Sequence, residues 1–509
     1  MNALTWLVVL PVLGAVVVAL IPRGRDELIR PLGLALTIPA LAVAGWVAFN
    51  FEVGDPFFQF TVDHTLSEEL GIGWRLGVDG ISLWMVVLTA VLFPLAIAAS
   101  TSITKRPRHF VIAMLILETG LLGVFVALDL LLFFAFFEVV LVPMYMLIGV
   151  WGSGNRRYAS MKFLLFSAVG SIFLLDGIIA LGVLAGDAVG TVANFDHRVI
   201  LDIPLSSTAQ LLLFLTFGFA FAVKVPIVPL HTWLADAHTE APTAGSVILA
   251  GVLLKMGGYG FLRFNMTLFP EATVDLAFAI AVLGVVGIVY GAVVAIVQPD
   301  VKRLVAYSSI SHMGFVILGI FALTSQGLSG GVFVMLSHGL VTGALFLLVG
   351  MLYDRRHTRR IDDYGGIATV MPIYAGFFLF MAFASIGLPG LSGFVGEFAV
   401  LIGSYLTLPV LAIIGVSGVV LAAIYLLWAY ERIFTGPITN SANAELRDLG
   451  FREIAIIAPL IVLVLAIGIY PKPILDRIQP SVDLILDRIE ATTTYEVPDN
   501  GFTPDEGSG

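Results

Sequence analysis

The chain has 509 residues, 59% of them hydrophobic and only 12% charged, with a formal net charge of −10 and a mean hydropathy of +1.01. A soluble domain carries about 25% charged residues, so the composition excludes one and implies an all-α polytopic membrane protein. There is no cysteine, which excludes thiolate-held iron–sulfur clusters, CxxCH haem attachment, disulfides and cysteine zinc sites. No Walker A loop and no GxGxxG opening a βαβ unit are present, so the chain has no visible means of binding a nucleotide or carrying electrons itself. Its acids gather partly in 52–69 and in the C-terminal tail, and neither stretch resembles a nucleic-acid surface.

Apolar runs of roughly the 20 residues that cross a bilayer begin near residues 3, 31, 81, 110, 131, 160, 209, 244, 274, 303, 330, 371, 409 and 454, which predicts about fourteen transmembrane helices. The first, Leu4–Ile21, has no n-region and no small-residue cleavage site and is read as a retained helix. Seventeen Lys and Arg fall in the odd-numbered connections and six in the even-numbered ones and the tail, while Lys162, Lys224 and Lys255 lie inside spans. The positive-inside rule then puts both termini on the outer, non-cytoplasmic face of the membrane.

The segment 131–145, LLFFAFFEVVLVPMY, sets Glu138 among apolar residues on both sides. A carboxylate at the centre of a membrane helix costs roughly 2.5–3.5 kcal/mol on the insertion scale. The seventh span (209–233) is interrupted by KVPIVP, with Lys224 beside the break; Pro226 and Pro229 each remove a backbone donor there. Residues 371–404 run about 50 Å as helix, too long for one crossing, and GLPGLSGFVGE breaks them just before Glu397. Interrupted spans in corresponding positions predict two structural repeats of five helices, 110–265 (helices 4–8) and 270–435 (helices 9–13). Two ordinary proline kinks would leave the same trace. Around the repeats lie 1–109, with the outer loop 51–80, the loop and helix of 436–470, and the acidic tail 471–509. In the tail, SVDLILDRIE reads as a short amphipathic helix and DNGFTPDEGSG as disordered.

Four further ionisable groups sit at membrane depth: Glu118 in the fourth span, Lys255 about 20 Å into the eighth, and His312 and His338 in the tenth and eleventh. Buried charges in a membrane mark ion or proton pathways more often than they serve as structural ion pairs. Desolvation brings a lysine and a glutamate toward neutrality, where each can load and release a proton. Glu138 and Lys224 are therefore expected to act as a switchable pair.

The segments GWRLGVDGISLW (73–84), FEVVLVPMYMLIGVWG (137–152), KVPIVPLHTWLADAHTEAPTAGSVILAGVLLKMGGYG (224–260), DVKRLVAYSSISHMG (300–314) and GLPGLSGFVGEF (387–398) resemble the antiporter-like membrane subunits of respiratory complex I, the NADH-quinone oxidoreductase, over roughly residues 1–470. The resemblance implies fourteen helices with two inverted five-helix repeats, each holding a discontinuous helix, and one proton channel per subunit. Position by position, Glu138 resembles the acid of the fifth helix, Lys224 its partner on the seventh and Lys255 the central lysine of the eighth. His312 and His338 resemble the axial histidines, and Glu397 the exit-side residue of the twelfth helix. Glu118, His231, Asp236 and His238 are secondary candidates.

Glutamate at 397 is similar to the M-type branch, the counterpart of mitochondrial subunit 4, whereas L-type and N-type subunits and the multisubunit sodium/proton antiporters usually carry lysine there. The family motif HTWLPDAH departs here at Ala235, which is expected to loosen the loop between the seventh and eighth helices. The resemblance implies no cofactor in this chain; NAD, FMN, iron–sulfur clusters and quinone belong to partner subunits. It also implies L-type and N-type neighbours and a bacterial inner membrane. The rivals are a subunit of a multisubunit sodium/proton antiporter, a membrane-bound hydrogenase arm, and a stand-alone secondary transporter. The last would need substrate-specific polar groups beside the breaks, where mainly Gly, Pro and apolar residues stand.

Overall fold

A computed structural model describes residues 2–22 and 24–498. Among the described residues thirteen helices are long and apolar enough to cross a membrane, from Ala3–Leu20 to Phe451–Ile469, and the short apolar pair Pro372–Ile386 and Ser392–Thr407 makes a further, broken crossing. This twelfth span stands in sequence where the second interruption is predicted. Proline occupies the first turn at Pro107, Pro270, Pro372 and Pro409, where its missing N–H costs nothing. The seventh span runs Ser207–Lys224 and stops at the KVPIVP interruption. Its second piece, Thr232–Glu240, is helical. Burial separates the spans by position: the windows in Thr243–Leu268 and Ser325–Arg356 are wholly buried, while those of the second and fourteenth spans are mostly exposed to what would be lipid.

Four expectations need correction. Ala235 does not loosen a loop: it is buried inside the helix Thr232–Glu240, where alanine carries the best helix propensity and its carbonyl accepts from Thr239 Oγ1 at 2.6 Å. The membrane fold is all-α as expected, but the stretch 51–80, expected as a loop, holds an antiparallel hairpin, β1 (Gln59–Ser67) and β2 (Ile72–Val78). Of the six outer basic residues, Arg75 and Arg263 are not loop cations, being 7% and 5% exposed and held in ion pairs. Finally, the tail helix is longer than SVDLILDRIE, spanning Lys472–Thr492. Residues 499–509, DNGFTPDEGSG, lie outside the described residues.

The hairpin is pinned by charge. Asp129 caps the fifth span through the Leu131 and Leu132 N–H groups and accepts from Gly73 N at 2.9 Å and Arg75 Nη1 at 2.8 Å. Arg75 also reaches Asp63 and Asp196, each at 3.3 Å, and Arg198 joins the same two acids. Burial alone would raise the Asp63 carboxyl, but Arg198 and Arg75 hold it below its usual range. The start of the helix that carries Glu138 is thus fixed to β2 and to the loop before the seventh span.

The C-terminal helix lies over the ends of several spans on the hairpin side. Ile474, Ile478, Val482, Ile485 and Ile489 are buried on one face. Ser481 accepts from Gly80 N at 3.1 Å, while Ser325 and Ser329 donate to Asp483 and Gln479, each at 2.9 Å. The helix passes so close that a Cβ on Gly80 would collide with the Arg477 carbonyl.

Beneath the hairpin, His197 is fully enclosed, with Nε2 3.1 Å from the Arg263 carbonyl and Phe58 and Phe264 against its ring. Burial, helped by the Arg263 charge, pushes it from 6.5 down to about 3. The unfolded segment therefore binds a proton that the folded one refuses, so stability from this packing is complete above pH 6.5 and falls as pH drops toward 3. His197→Gln should flatten the pH dependence of thermal stability between pH 6.5 and 4, measured on the purified assembly. An unchanged slope would show that this histidine is not its source.

Candidate functional site

Lys255 lies in the wholly buried eighth span, between two π-helical stretches, Leu249–Leu253 and Phe261–Asn265. Single π-turns cluster at functional sites because the widened turn frees backbone groups. Here the Lys255 ammonium donates to the Ala250 carbonyl, one wide turn back along its own helix. Its second partner is Nδ1 of His338, at 2.7 Å. No carboxylate lies within ion-pair distance of it among the described residues.

The row continues into the eleventh and tenth spans. With Lys255 charged, His338 Nδ1 accepts and its Nε2 carries the proton; that nitrogen is buried without a partner. The His312 ring centroid lies 5.6 Å away. A cleft of about 10 Å³ between them, lined by His312, Ser337, His338, Thr342, Ser385 and Glu397 among others, has room for about one water. His312 reaches Ser385 Oγ through Nε2 at 3.1 Å and Glu397 Oε1 through Nδ1 at 2.7 Å. Glu397 in turn borders a lateral cleft of about 520 Å³ beside the second break. The structure therefore joins Lys255, His338, His312 and Glu397 in a single series drawn from four spans.

Among the described residues Glu138 and Lys224 form no ion pair, though Lys224 lies within electrostatic reach of Glu138. The Lys224 nitrogen is 3.4 Å from Ser167 Oγ and lies over the rings of Phe137 at 4.8 Å and Phe163 at 5.7 Å. One Glu138 oxygen is buried without a partner, yet the residue is half-buried, on a helix face whose Val139 and Val142 are 37% and 59% exposed. Glu138 thus stands at the lateral boundary of the chain. Glu118 is fully buried with both oxygens unpartnered and belongs to no contact with the row. Asp236 is engaged by Lys162 at 2.8 Å and Arg303 at 3.8 Å. His231 packs edge-on against Tyr290 with Nδ1 unpartnered.

His238 occupies a different position. It is fully buried, neither ring nitrogen has a partner, and it stacks on Phe346 at 4.7 Å. It lies within electrostatic reach of both Lys255 and Lys302. Lys302 is buried, donates only to the Thr239 and Ala241 carbonyls, and lines a cavity of about 230 Å³ with Ser153, Glu240, Asp354, His357 and Arg359. That cavity opens among the odd-numbered connections.

Sequence reasoning missed Lys302, Ser385, Ser167 and the pairing of Lys162. Lys302 lies among the basic residues of the odd-numbered connections, and only three-dimensional packing shows that it is buried. A serine in an apolar helix gives no signal until its neighbour is known. Among the described residues, no three His, Asp or Glu groups come together that would hold a metal ion.

Residues 127–422 match the family model described as NADH:quinone oxidoreductase/Mrp antiporter, TM, and residues 51–124 match NADH-ubiquinone oxidoreductase chain 4, amino terminus. The chain is 44% identical over 501 residues to NADH-quinone oxidoreductase subunit M of Rhodobacter capsulatus, covering 96% of this chain and 97% of that one. It is 41% identical over 483 residues to NADH-ubiquinone oxidoreductase chain 4 of Marchantia polymorpha, covering 94% and 96%. Among solved structures it is similar to a chain of respiratory complex I from Thermus thermophilus with bound NADH, at 31% identity and a TM-score of 0.87, covering 96% and 99%. A chain of the Mrp complex from Dietzia shares the fold at 22% identity and a TM-score of 0.83, covering 96% and 99%.

Proposed function

The chain belongs to the NADH-quinone oxidoreductase subunit M/chain 4 family, and from that premise we propose how it moves protons. It is a multi-pass membrane-arm subunit of the NADH:quinone oxidoreductase, translocating protons while NADH oxidation and quinone reduction proceed in partner subunits that hold the NAD, FMN, iron–sulfur and quinone sites. The observation that carries the mechanism is the buried series Lys255–His338–His312–Glu397, with nitrogen–nitrogen and nitrogen–oxygen contacts of 2.7 Å at its two ends.

A proton leaves the Lys255 ammonium for His338 Nδ1. His338 releases its Nε2 proton to the water-sized cleft, from which His312 takes one up and passes its Nδ1 proton to Glu397. The first and last transfers run between hydrogen-bonded groups and the middle one crosses the cleft; each ring then exchanges its tautomer before it takes the next proton. Lys255 is refilled from the cytoplasmic side, either by Glu138 and Lys224 or through His238 from the cavity at Lys302. Glu397 releases toward the outer face. The seventeen-to-six distribution of basic residues supports outer termini and, with the subunit M relatives, a bacterial cell membrane.

Glu138 also supports a neighbour. A half-buried carboxylate facing hydrocarbon is costly, so the face bearing Val139 and Val142 is covered by protein in the assembly, and the antiporter-like L-type and N-type subunits are the neighbours we assign. A multisubunit sodium/proton antiporter subunit is the second reading; glutamate rather than lysine at 397 favours the first.

The test is Glu138→Gln, which keeps the side chain's shape and removes its charge. In the reconstituted complex, protons pumped per NADH should fall about twofold or more, with NADH oxidation capacity and subunit content retained. Unchanged pumping would remove Glu138 from the route.

A further inference from the structure

On the outer side of Lys255, the same helix carries two more polar residues, Tyr259 and Arg263, one and two turns on. Residues at i, i+4 and i+8 share a helix face, and eight residues of helix rise about 12 Å. Tyr259 is 1% exposed and accepts from Arg263 Nε at 3.3 Å while donating to the Phe125 carbonyl at 3.3 Å. Arg263 pairs with Asp79, which is itself buried and caps the third span through Ser82 N at 2.9 Å. Beyond the pair lies an outer cavity of about 380 Å³, lined by Phe58 of the hairpin segment, Asp79, His197, Arg198, Arg263 and Arg488. The hairpin segment and the C-terminal helix form its cover.

This arrangement brings an outer cavity to within about 12 Å of the central lysine, on the side away from the lateral exit. The cavity is lined by three arginines and one aspartate; Arg263 pairs with Asp79 and Arg198 with Asp63 and Asp196, which leaves Arg488 without an acid partner among the described residues. We propose that the Arg263–Asp79 pair is an electrostatic seal, which stops protons in the outer cavity from reaching Lys255 through Tyr259 and discharging the gradient. Arginine keeps its charge at any working pH, and a fixed cation in a narrow passage is a barrier to protons. An unpaired unit charge about 12 Å away at an effective dielectric of about 20 would lower proton occupancy roughly tenfold; the Asp79 carboxylate reduces that while holding the guanidinium in place, and Arg488, which donates to the Thr267 and Leu201 carbonyls, keeps the mouth positive. The proposal rests on the reading of Lys255 as a proton carrier.

The experiment uses the whole complex in vesicles carrying an imposed pH gradient without NADH, and reads passive proton backflow with a trapped dye. The double variant Asp79→Asn/Arg263→Met removes both charges and so leaves no orphan buried ion. It should leak severalfold faster than the parent, and Arg263→Lys should not leak. A purely structural ion pair predicts lower assembly of the double variant and no extra leak in the complex that does assemble, and that result overturns the seal. Adding Lys255→Met to the double variant should abolish the leak. A leak that persists in the triple variant leaves the seal standing and shows that Lys255 is not the inner station. If the double variant does not assemble, Arg488→Gln at the cavity mouth should raise backflow about twofold, and unchanged backflow in that variant overturns the proposal.

Discussion

Lys255→Met abolishes translocation through this subunit: protons pumped per NADH fall at least fivefold in reconstituted vesicles, with the complex intact. Methionine fills a similar volume and packs readily, so the change deletes the proton and its two hydrogen bonds without opening a large hole. The more discriminating variant is Lys255→Arg. Arginine preserves the charge and can still donate to the Ala250 carbonyl and to His338, but it does not deprotonate in proteins. If Lys255 serves by passing a proton, Lys255→Arg fails as badly as Lys255→Met. If it serves as a fixed charge, Lys255→Arg pumps like the parent, and the relay is wrong.

Where the sequence was informative, one property made it so: a charge inside an apolar run has no bland explanation. That picked out Lys255, Glu397 and the two histidines, and the structure brings those four together. The same property picked out Glu138 and Lys224, which share no ion pair but lie within electrostatic reach of each other, with the rings of Phe137 and Phe163 against the lysine. The breaks at KVPIVP and GLPGLSG were legible because proline and glycine act locally. The hairpin and its anchors were not. Its strand QFTVDHTLS lacks a clean apolar–polar alternation, and Arg75 finds Asp129 across 54 positions, Arg263 finds Asp79 across 184. No local pattern encodes such a pairing. The C-terminal helix was half legible, since its amphipathic spacing shows a face needing cover but not that Gly80 and Ser329 supply it.

The last residue of the series gives the sharpest contrast in outcomes. Glu397→Ala removes the acceptor of the His312 Nδ1 contact at 2.7 Å and leaves that buried imidazole without its acid. Glu397→Gln can still accept that hydrogen bond, so packing around His312 and Ser385 survives, but an amide holds no proton. Both should lower pumping per NADH by at least fivefold, and their agreement would assign the loss to proton transfer rather than to geometry. Glu397→Lys replaces one proton carrier with another, because a buried lysine can be driven toward neutrality and then load and release a proton. It places the new group beside His312, where repulsion between two cations disfavours loading both at once, so a partial rate is expected, near half of the parent. The lateral cleft of about 520 Å³ beside residue 397 leaves space for the longer side chain. Pumping measured on the three variants in one preparation decides the point. If Glu397→Gln pumps normally, or if Glu397→Ala is tolerated and Glu397→Lys is not, then Glu397 carries no proton and its negative charge serves only to hold His312.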